Sequence, residues 1–428
     1  MLKALASAFR TPDLRRKLLF TMFVMAIYRL GTYVPAPYVS YTNLRQCLAE
    51  SGTADLLSMM NMFSGGGMLQ LSIFALGIMP YITASIIVQL MRVVIPRFEE
   101  LHKEGQSGTA KLTEYTRYLT IFLAVLQSSV IVSVANSALF VGCTVKPIPD
   151  DTIGVKLLCI LTMTAGTGLV MWLAELITER GVGNGMSLLI FTGIAANFPM
   201  LLATVFEGAN GIRNTLIVIA MFLVITVVVV FVEQSQRRIP VQYAKRVVGR
   251  RTYGGTSTYI PLKVNMANVI PVIFASSILA IPQMLSQFGD QTKPWVQWVA
   301  TYFTYSSPWY LLAYALLIIF FAFFYTSITF NPEEVADNMK RYGGFIPGIR
   351  AGQPTADYLR YVVTRINWVG ALYLAIVALI PYIVFNALGL QMMSIGGTSI
   401  IILVGVGLQT VKDIDAQLQQ RHYEGFLR

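Results

Sequence analysis

Apolar runs of about 20 residues recur along the whole chain, separated by short connectors rich in charge, proline or glycine. At 1.5 Å per residue such a run, wound as a helix, spans the ~30 Å hydrocarbon core of a bilayer. The pattern predicts ten membrane-spanning helices, at about 18–35, 73–91, 116–137, 155–176, 185–203, 214–232, 266–285, 309–329, 367–386 and 395–411. The basic tract Arg15-Arg16-Lys17 ahead of the first run resembles the start of a secretory signal. Tyr33-Val-Pro-Ala-Pro37 beyond it lacks a small-x-small cleavage pattern, so an uncleaved anchor is expected.

Two stretches break the rhythm. Residues 53–70 hold a short apolar piece, 56–63, that would rise only about 12 Å as a helix before the Gly65–Gly67 triplet stops it. It is too short to span, so it either lies on the membrane surface or re-enters a protein-lined cavity. Residues 233–263, EQSQRRIPVQYAKRVVGRRTYGGTSTYIPLK, alternate apolar and polar positions around Ile-Pro-Val-Gln-Tyr and predict a hairpin.

Composition agrees with a polytopic membrane protein. Of 428 residues 55% are hydrophobic and 12% charged, about half the charge of an ordinary soluble domain. Mean hydropathy is +0.62. The net charge of +11 is unevenly placed: 26 Lys and Arg fall in segments sharing a side with the N-terminus, and five in the opposite loops. By the positive-inside rule both termini face the cytoplasm. Ten spans divide five and five into halves of opposite orientation, the arrangement of inverted repeats around a central site. The expected organisation is a cytoplasmic segment 1–17, an N-terminal half 18–203, a C-terminal half 204–411 with long cytoplasmic loops at 233–263 and 330–366, and a cytoplasmic tail 412–428.

The chemistry within the spans is sparse. Ion-coupled transporters keep ionisable groups near the midplane, yet no Asp, Glu, Lys or His falls in the middle of a predicted span. Arg29 and Glu175 lie near span ends, where interfacial anchoring accounts for them. Thr83, Ser85, Gln127, Ser128, Asn265 and Asn268 are ordinary helix-to-helix glue, or else a seam weak enough to separate. His102 and His422 are the only histidines, and the three cysteines (Cys47, Cys143, Cys159) have no CxxC spacing. No disulfide framework, metal site or cofactor follows. A P-loop and an HExxH motif are both absent, which argues against an enzyme. The two cytoplasmic loops are strongly basic. Arg237, Arg238, Lys245, Arg246, Arg250 and Arg251 lie in the first, and Lys340, Arg341 and Arg350 in the second. Such pairs suit anionic lipid or, given the loop length, a polyanionic or acidic partner.

Several motifs carry a resemblance: Asn61-Met-Phe-Ser-Gly65, the run from Ser72 to Ile82, Ile177-Thr-Glu-Arg-Gly181, Tyr243-Ala-Lys-Arg246, Pro261-Leu-Lys-Val-Asn-Met266, Pro347-Gly-Ile-Arg350 and Gly396-Gly-Thr-Ser399. From Leu14 to the tail the chain resembles the SecY/Sec61-alpha family, whose bacterial members are central subunits of the protein-conducting channel. The resemblance implies an all-α membrane fold, with ten transmembrane helices in two pseudo-symmetric inverted halves around an hourglass pore and a re-entrant plug half-helix at about 55–70. That plug includes Met60, Asn61, Phe63 and Gly65. It also implies a pore ring of Ile78, Ile82, Met186, Ile190, Ile273 and Ile402, with Met186 replacing the family's usual isoleucine. Thr83, Gln127 and Asn265 would form a polar cluster at a lateral gate. The basic loops would bind the motor SecA or the ribosome, through Arg250, Arg251 and Arg350 above all. SecE, SecG, preproteins and their signal peptides, membrane lipids, and further SecDF and YidC are the partners implied.

Overall fold

The computed structural model describes residues 9, 11–50, 61, 64–135, 145–150, 152–207, 211–243, 246–248, 251–253, 257–288, 293–303, 307–388 and 397–426. Helix α1 (Pro12–Gly31) starts with proline in its first turn beside Asp13 and ends on Arg29, which suits the helix dipole at both ends. The following helices are α2 (Tyr41–Glu50), α3 (Met79–Val94), α4 (Pro96–Lys103), α5 (Gln106–Ala135), α6 (Ile153–Arg180), α7 (Gly185–Glu207) and α8 (Gly211–Gln234). Strands β1 (Gln236–Tyr243), β2 (Arg246–Val248), β3 (Arg251–Tyr253) and β4 (Ser257–Lys263) come next, then α9 (Ile270–Phe288), α10 (Pro294–Tyr302) and α11 (Pro308–Thr329). The chain closes with α12 (Pro332–Arg341), β5 (Gly344–Phe345), α13 (Gln353–Ala387) and α14 (Gly397–Phe426).

Each of the ten predicted spans coincides with a helix: α1, α3, α5, α6, α7, α8, α9, α11, α13 and α14. Among the described residues, α5, α6, α8, α11 running into α12, and α13 are long and apolar enough to cross a membrane by length and composition. The limits differ where apolarity and helicity part company. Helix α13 begins at Gln353 rather than 367 and α14 runs on to Phe426, because Gln, Arg, Lys and Glu continue a helix into water as readily as Leu does within lipid. The second span is shorter than its apolar run. Residues 72–78 are turns, because this stretch pairs with the chain leaving α1. Ala36 N donates to Leu71 O (2.9 Å), Ile73 N donates to Val34 O (2.9 Å), and Pro35 and Ser72 form an antiparallel bridge. Helix α6 lies directly against this stretch at Gly166, where a methyl group would come within 2.0 Å of the Ile73 carbonyl oxygen.

Two sets of helices pack internally. Helix α3 lies on α5, α5 on α6, and α6 on α7; in the second set α9 lies on α11 and α11 on α13. The sets join through α7 against α8 and α14. Among the described residues, no comparably extensive contact ties α3 or α5 to α9 or α11. One large apolar cluster runs through both sets, while Leu216, Leu223, Val224, Val227 and Phe231 of α8 point outward and exposed, as lipid-facing side chains do.

The predicted hairpin is present. Strand β1 pairs antiparallel with β4 from Gln236↔Lys263 to Gln242↔Ser257. Its other edge takes β5 at Gln242↔Phe345, so the two long basic loops share one three-stranded sheet. Beneath it Ile239, Val241 and Leu262 pack with Met339, Ile346 and Leu359 in a small core of their own. Cys47, buried in α2, is disulfide-bonded, which the odd cysteine count did not foretell. Cys159 is free and buried.

Candidate functional site

The six side chains of the expected ring come from four helices, two in each set. Ile78 closes the turn ahead of α3, and its carbonyl accepts from both Tyr81 N and Ile82 N at 3.1 Å, so Ile78 and Ile82 stack one turn apart. Met186 and Ile190 repeat that spacing on α7, whose start is capped by the Asn184 side chain accepting from Met186 N at 3.0 Å. Ile273 lies in the first turn of α9 and Ile402 in α14. All six belong to the same apolar cluster, five of them buried and Met186 half-buried. That cluster runs through both helix sets, so it shares the six with most of the buried apolar residues of the bundle.

The segment ahead of the collar is held differently. Met60 and Phe63 lie outside the described residues. Asn61 accepts from Leu69 N through its side chain (3.0 Å) and from Gly66 N through its carbonyl (2.7 Å). Ser64 Oγ donates back to Asn61 O (3.0 Å) and accepts from Met68 N (3.0 Å). Gly65 has φ +68°, which favours glycine, and a methyl there would lie 3.3 Å from Gly193 Cα of α7. Arg29 of α1 donates from Nη1 to the Gly65 carbonyl and from Nη2 to the Tyr33 hydroxyl (2.6 Å), with its guanidinium 4.7 Å from the Tyr33 ring centre. Arg29 is therefore tied to protein rather than reaching to headgroups. The i,i+4 spacing of Arg29 and Tyr33 was the available signal.

The three polar residues expected at a gate do not bond to one another. Thr83 Oγ1 donates to Met79 O of its own helix (3.0 Å), and Gln127 Oε1 is buried with no hydrogen-bond partner among the described residues. Asn265 donates to Glu233 Oε1 (2.6 Å) and to Asn268 O (3.1 Å). Glu233, counted with the loop by its charge, is buried in the last turn of α8. An isolated Glu ending the unbroken run Val227-Val-Val-Val-Phe-Val-Glu233 was the clue. Glu175 of α6 pairs with Arg117 of α5, Nη2 to Oε2 at 2.7 Å and Nε to Oε1 at 3.0 Å, while Tyr81 Oη donates at 3.4 Å. This interfacial carboxylate links three helices.

Of the basic residues, Arg237 and Arg238 are exposed on β1, with Arg238 stacked 4.9 Å from the Tyr259 ring centre. Lys340 and Arg341 end α12 on the exposed side, and Arg350 is exposed in the turn before α13, its carbonyl accepting from Thr355 Oγ1 (2.8 Å). Arg246 and Arg251 fall on the paired strands β2 and β3. Lys245 and Arg250 lie outside the described residues. Two basic surfaces that are distant in sequence thus meet on one sheet.

Long apolar helices in two sets, joined where α7 packs against α8 and α14 and sharing one apolar cluster, describe a multi-pass helical membrane protein. The SecY family profile matches residues 72–411. The chain is 60% identical, over the full length of both, to the protein translocase subunit SecY of Streptomyces galbus, and 54% identical over the full length to that of Mycobacterium tuberculosis. The chain belongs to the SecY family. Its fold is similar to a solved protein-conducting channel (TM-score 0.61, 18% identity, 93% of this chain and 91% of that one). It is equally similar to Sec61 in a canine ribosome–channel complex from the endoplasmic reticulum (TM-score 0.61, 17% identity, the same coverage).

Proposed function

We propose that this chain is the pore-forming subunit of a protein translocase, passing unfolded preproteins across the cytoplasmic membrane and releasing apolar segments sideways into lipid. The observation that carries the reading is membership of the SecY family over the full chain, and the proposed collar of six apolar side chains from both halves, all in or against one apolar cluster, suits it. A channel that passes many sequences must avoid specific hydrogen bonds to any of them. A narrow apolar constriction meets that need and also excludes hydrated ions, because dewetting makes it costly for a charge. Two halves, 18–203 and 204–411, part along the side of α3, α5, α9 and α11 and stay joined where α7 packs against α8 and α14. Thr83, Gln127 and Asn265 lie on that side. A nascent segment exposed there partitions by composition, since Leu, Ile, Phe or Val gains about 0.3–0.6 kcal/mol at mid-helix while Asp, Lys or Arg costs about 2.5–3.5.

The segment about 55–70 is the plug, with Met60, Asn61, Phe63 and Gly65 in it. Both termini, 1–17 and 412–428, are cytoplasmic, as is the prong formed by the three-stranded sheet. The prong docks SecA or the ribosome through Arg237, Arg238, Lys245, Arg246, Arg250, Arg251, Lys340, Arg341 and Arg350. SecE and SecG complete the complex, and SecDF and YidC act beside it. The chain is a conduit and not an enzyme: the motor or the ribosome supplies the energy. The test is cross-linking of a stalled precursor to cysteines placed at 78, 190, 273 and 402 in the reconstituted complex with motor and ATP. Adducts at all four are expected. Coupled uptake of a metabolite with a cation, and no passage of precursor, would overturn the reading.

A further inference from the structure

Among the described residues of the plug segment, Asn61 and 64–70, few contacts could both hold it and let it go. Its Asn61 and Ser64 bonds are internal, so they shape the segment without fixing it to the channel wall. The wall lies close by: a methyl group added at Gly65 would meet Gly193 of α7 and Thr32 of the turn after α1, and one at Gly66 would meet Asn197 of α7. It contributes one charged donor, Arg29, half-buried and aimed at the Gly65 carbonyl by its second hydrogen bond and ring contact with Tyr33. A guanidinium bond to a carbonyl is charge-assisted, and its planar fork serves two acceptors at once. Ammonium cannot reproduce that geometry.

We infer that Arg29 is a positioning residue that latches the plug, through the Gly65 carbonyl, and so sets how tightly the resting channel is sealed and how good a signal must be to open it. The inference rests on the channel reading above and adds to it the group that holds the seal. Tyr33 aims the latch. Glycine at 65 is required on the plug side because its φ of +68° and the 3.3 Å approach of Gly193 leave a side chain no relaxed position. Release of this contact displaces one backbone carbonyl from one cation, and water or the incoming chain can then serve both groups.

The test uses the full complex with its partner subunits in vesicles of phosphatidylethanolamine and phosphatidylglycerol. Resting chloride leak is measured alongside motor-driven transport of two precursors, one with an intact signal and one weakened by an apolar-to-polar change. Loss of a charge-assisted bond predicts that Arg29→Met raises the leak about tenfold and admits the weakened precursor, with the intact one unchanged. Arg29→Lys falls between, and Tyr33→Phe, which loses only the aiming hydroxyl, gives about a threefold rise. A merely structural role for Arg29 would lower transport of both precursors together and is overturning. So is an Arg29→Met complex with wild-type leak and unchanged selectivity. Should that variant fail to assemble, Gly65→Ala disturbs the same contact from the other side, and a tight, selective Gly65→Ala channel also overturns the latch. If the unmodified complex passes no precursor, the channel reading fails; if it does pass precursor while Arg29→Met stays tight, only the latch fails.

Discussion

The prong and the plug segment are held by opposite means. The prong is a ladder. Strand β1 is paired with β4 over seven positions, then with β5, and is backed by an apolar core of its own. Among the described residues of the plug segment, Asn61 and 64–70 form turns whose side-chain bonds are local, and their one charged tie to the helices is the Arg29 guanidinium; the backbone pairing of Leu71 and Ile73 with the chain leaving α1 begins beyond them. A ladder with a core fails only by unfolding, so it transmits a push from whatever docks on it. A single polar tie fails by exchange of one bond, so it can open and reclose during a working cycle. On the proposed reading, stiffness lies where force would enter and weakness where the seal would break.

The largest effect is expected from breaking the ladder. Ile239 is buried opposite Ile260 and packs with Val241, Leu262 and Met339. Ile239→Asp places a carboxylate there without a partner, at a cost of about 3 kcal/mol or more to the local structure. Binding of SecA or ribosomes to the reconstituted complex should fall more than tenfold and the loops become protease-sensitive, while resting chloride leak stays at the wild-type level. A leak that rises with Ile239→Asp would mean the two devices are not independent.

Next in size is the joint between prong and pore. The sheet returns to the membrane at Lys263, Val264 N donates to Ser235 O (3.1 Å), and Asn265 then grips Glu233 at 2.6 Å just before α9, which carries Ile273. Both ends of the prong are therefore clasped where they enter the helices. Asn265→Ala leaves the buried carboxylate without that donor and should cost about 1–3 kcal/mol, seen as a lower unfolding midpoint of the purified complex. Glu233→Gln keeps an acceptor for Asn265 and should shift the midpoint less. Equal midpoints for Asn265→Ala and the wild type would detach the prong from α9 and remove its means of pushing on the collar.

Much of this was legible in the residues. Ten apolar runs marked ten helices because lipid demands a continuous apolar stretch, and the alternation around Ile239 and Val241 marked a strand with one buried face. The proposed collar positions rest on the family resemblance alone, since an isoleucine in a span looks the same whether it faces lipid, a neighbour or a pore. Joining of the two basic loops through β5 was not legible, because two residues, Gly344 and Phe345, are too short to show a period. Asn265 was read as a gate residue, whereas its bonded partner is Glu233, hidden because a charge beside a polar loop is counted with the loop. Arg29 resembled a headgroup anchor for a similar reason: its partner is a backbone carbonyl, and no sequence pattern marks a carbonyl as an acceptor.

The smallest effect separates shape from attachment within the plug segment. Asn61 contributes two acceptors: its carbonyl, which any residue retains, and its side-chain oxygen, which receives Leu69 N at 3.0 Å. Asn61→Ala removes only the second, and Leu69 is half-buried, so its N–H has water within reach as a substitute. The net loss is about 0.5–1.5 kcal/mol, and the chloride leak in the same vesicles should rise about threefold, with prong binding untouched. That places Asn61→Ala below Arg29→Met, as expected if the internal turn only keeps Gly65 presented to its cation. A leak from Asn61→Ala equal to that of Arg29→Met would reverse the order: the segment would then be held by its own folding, and the contrast with the prong would be one of size and not of kind.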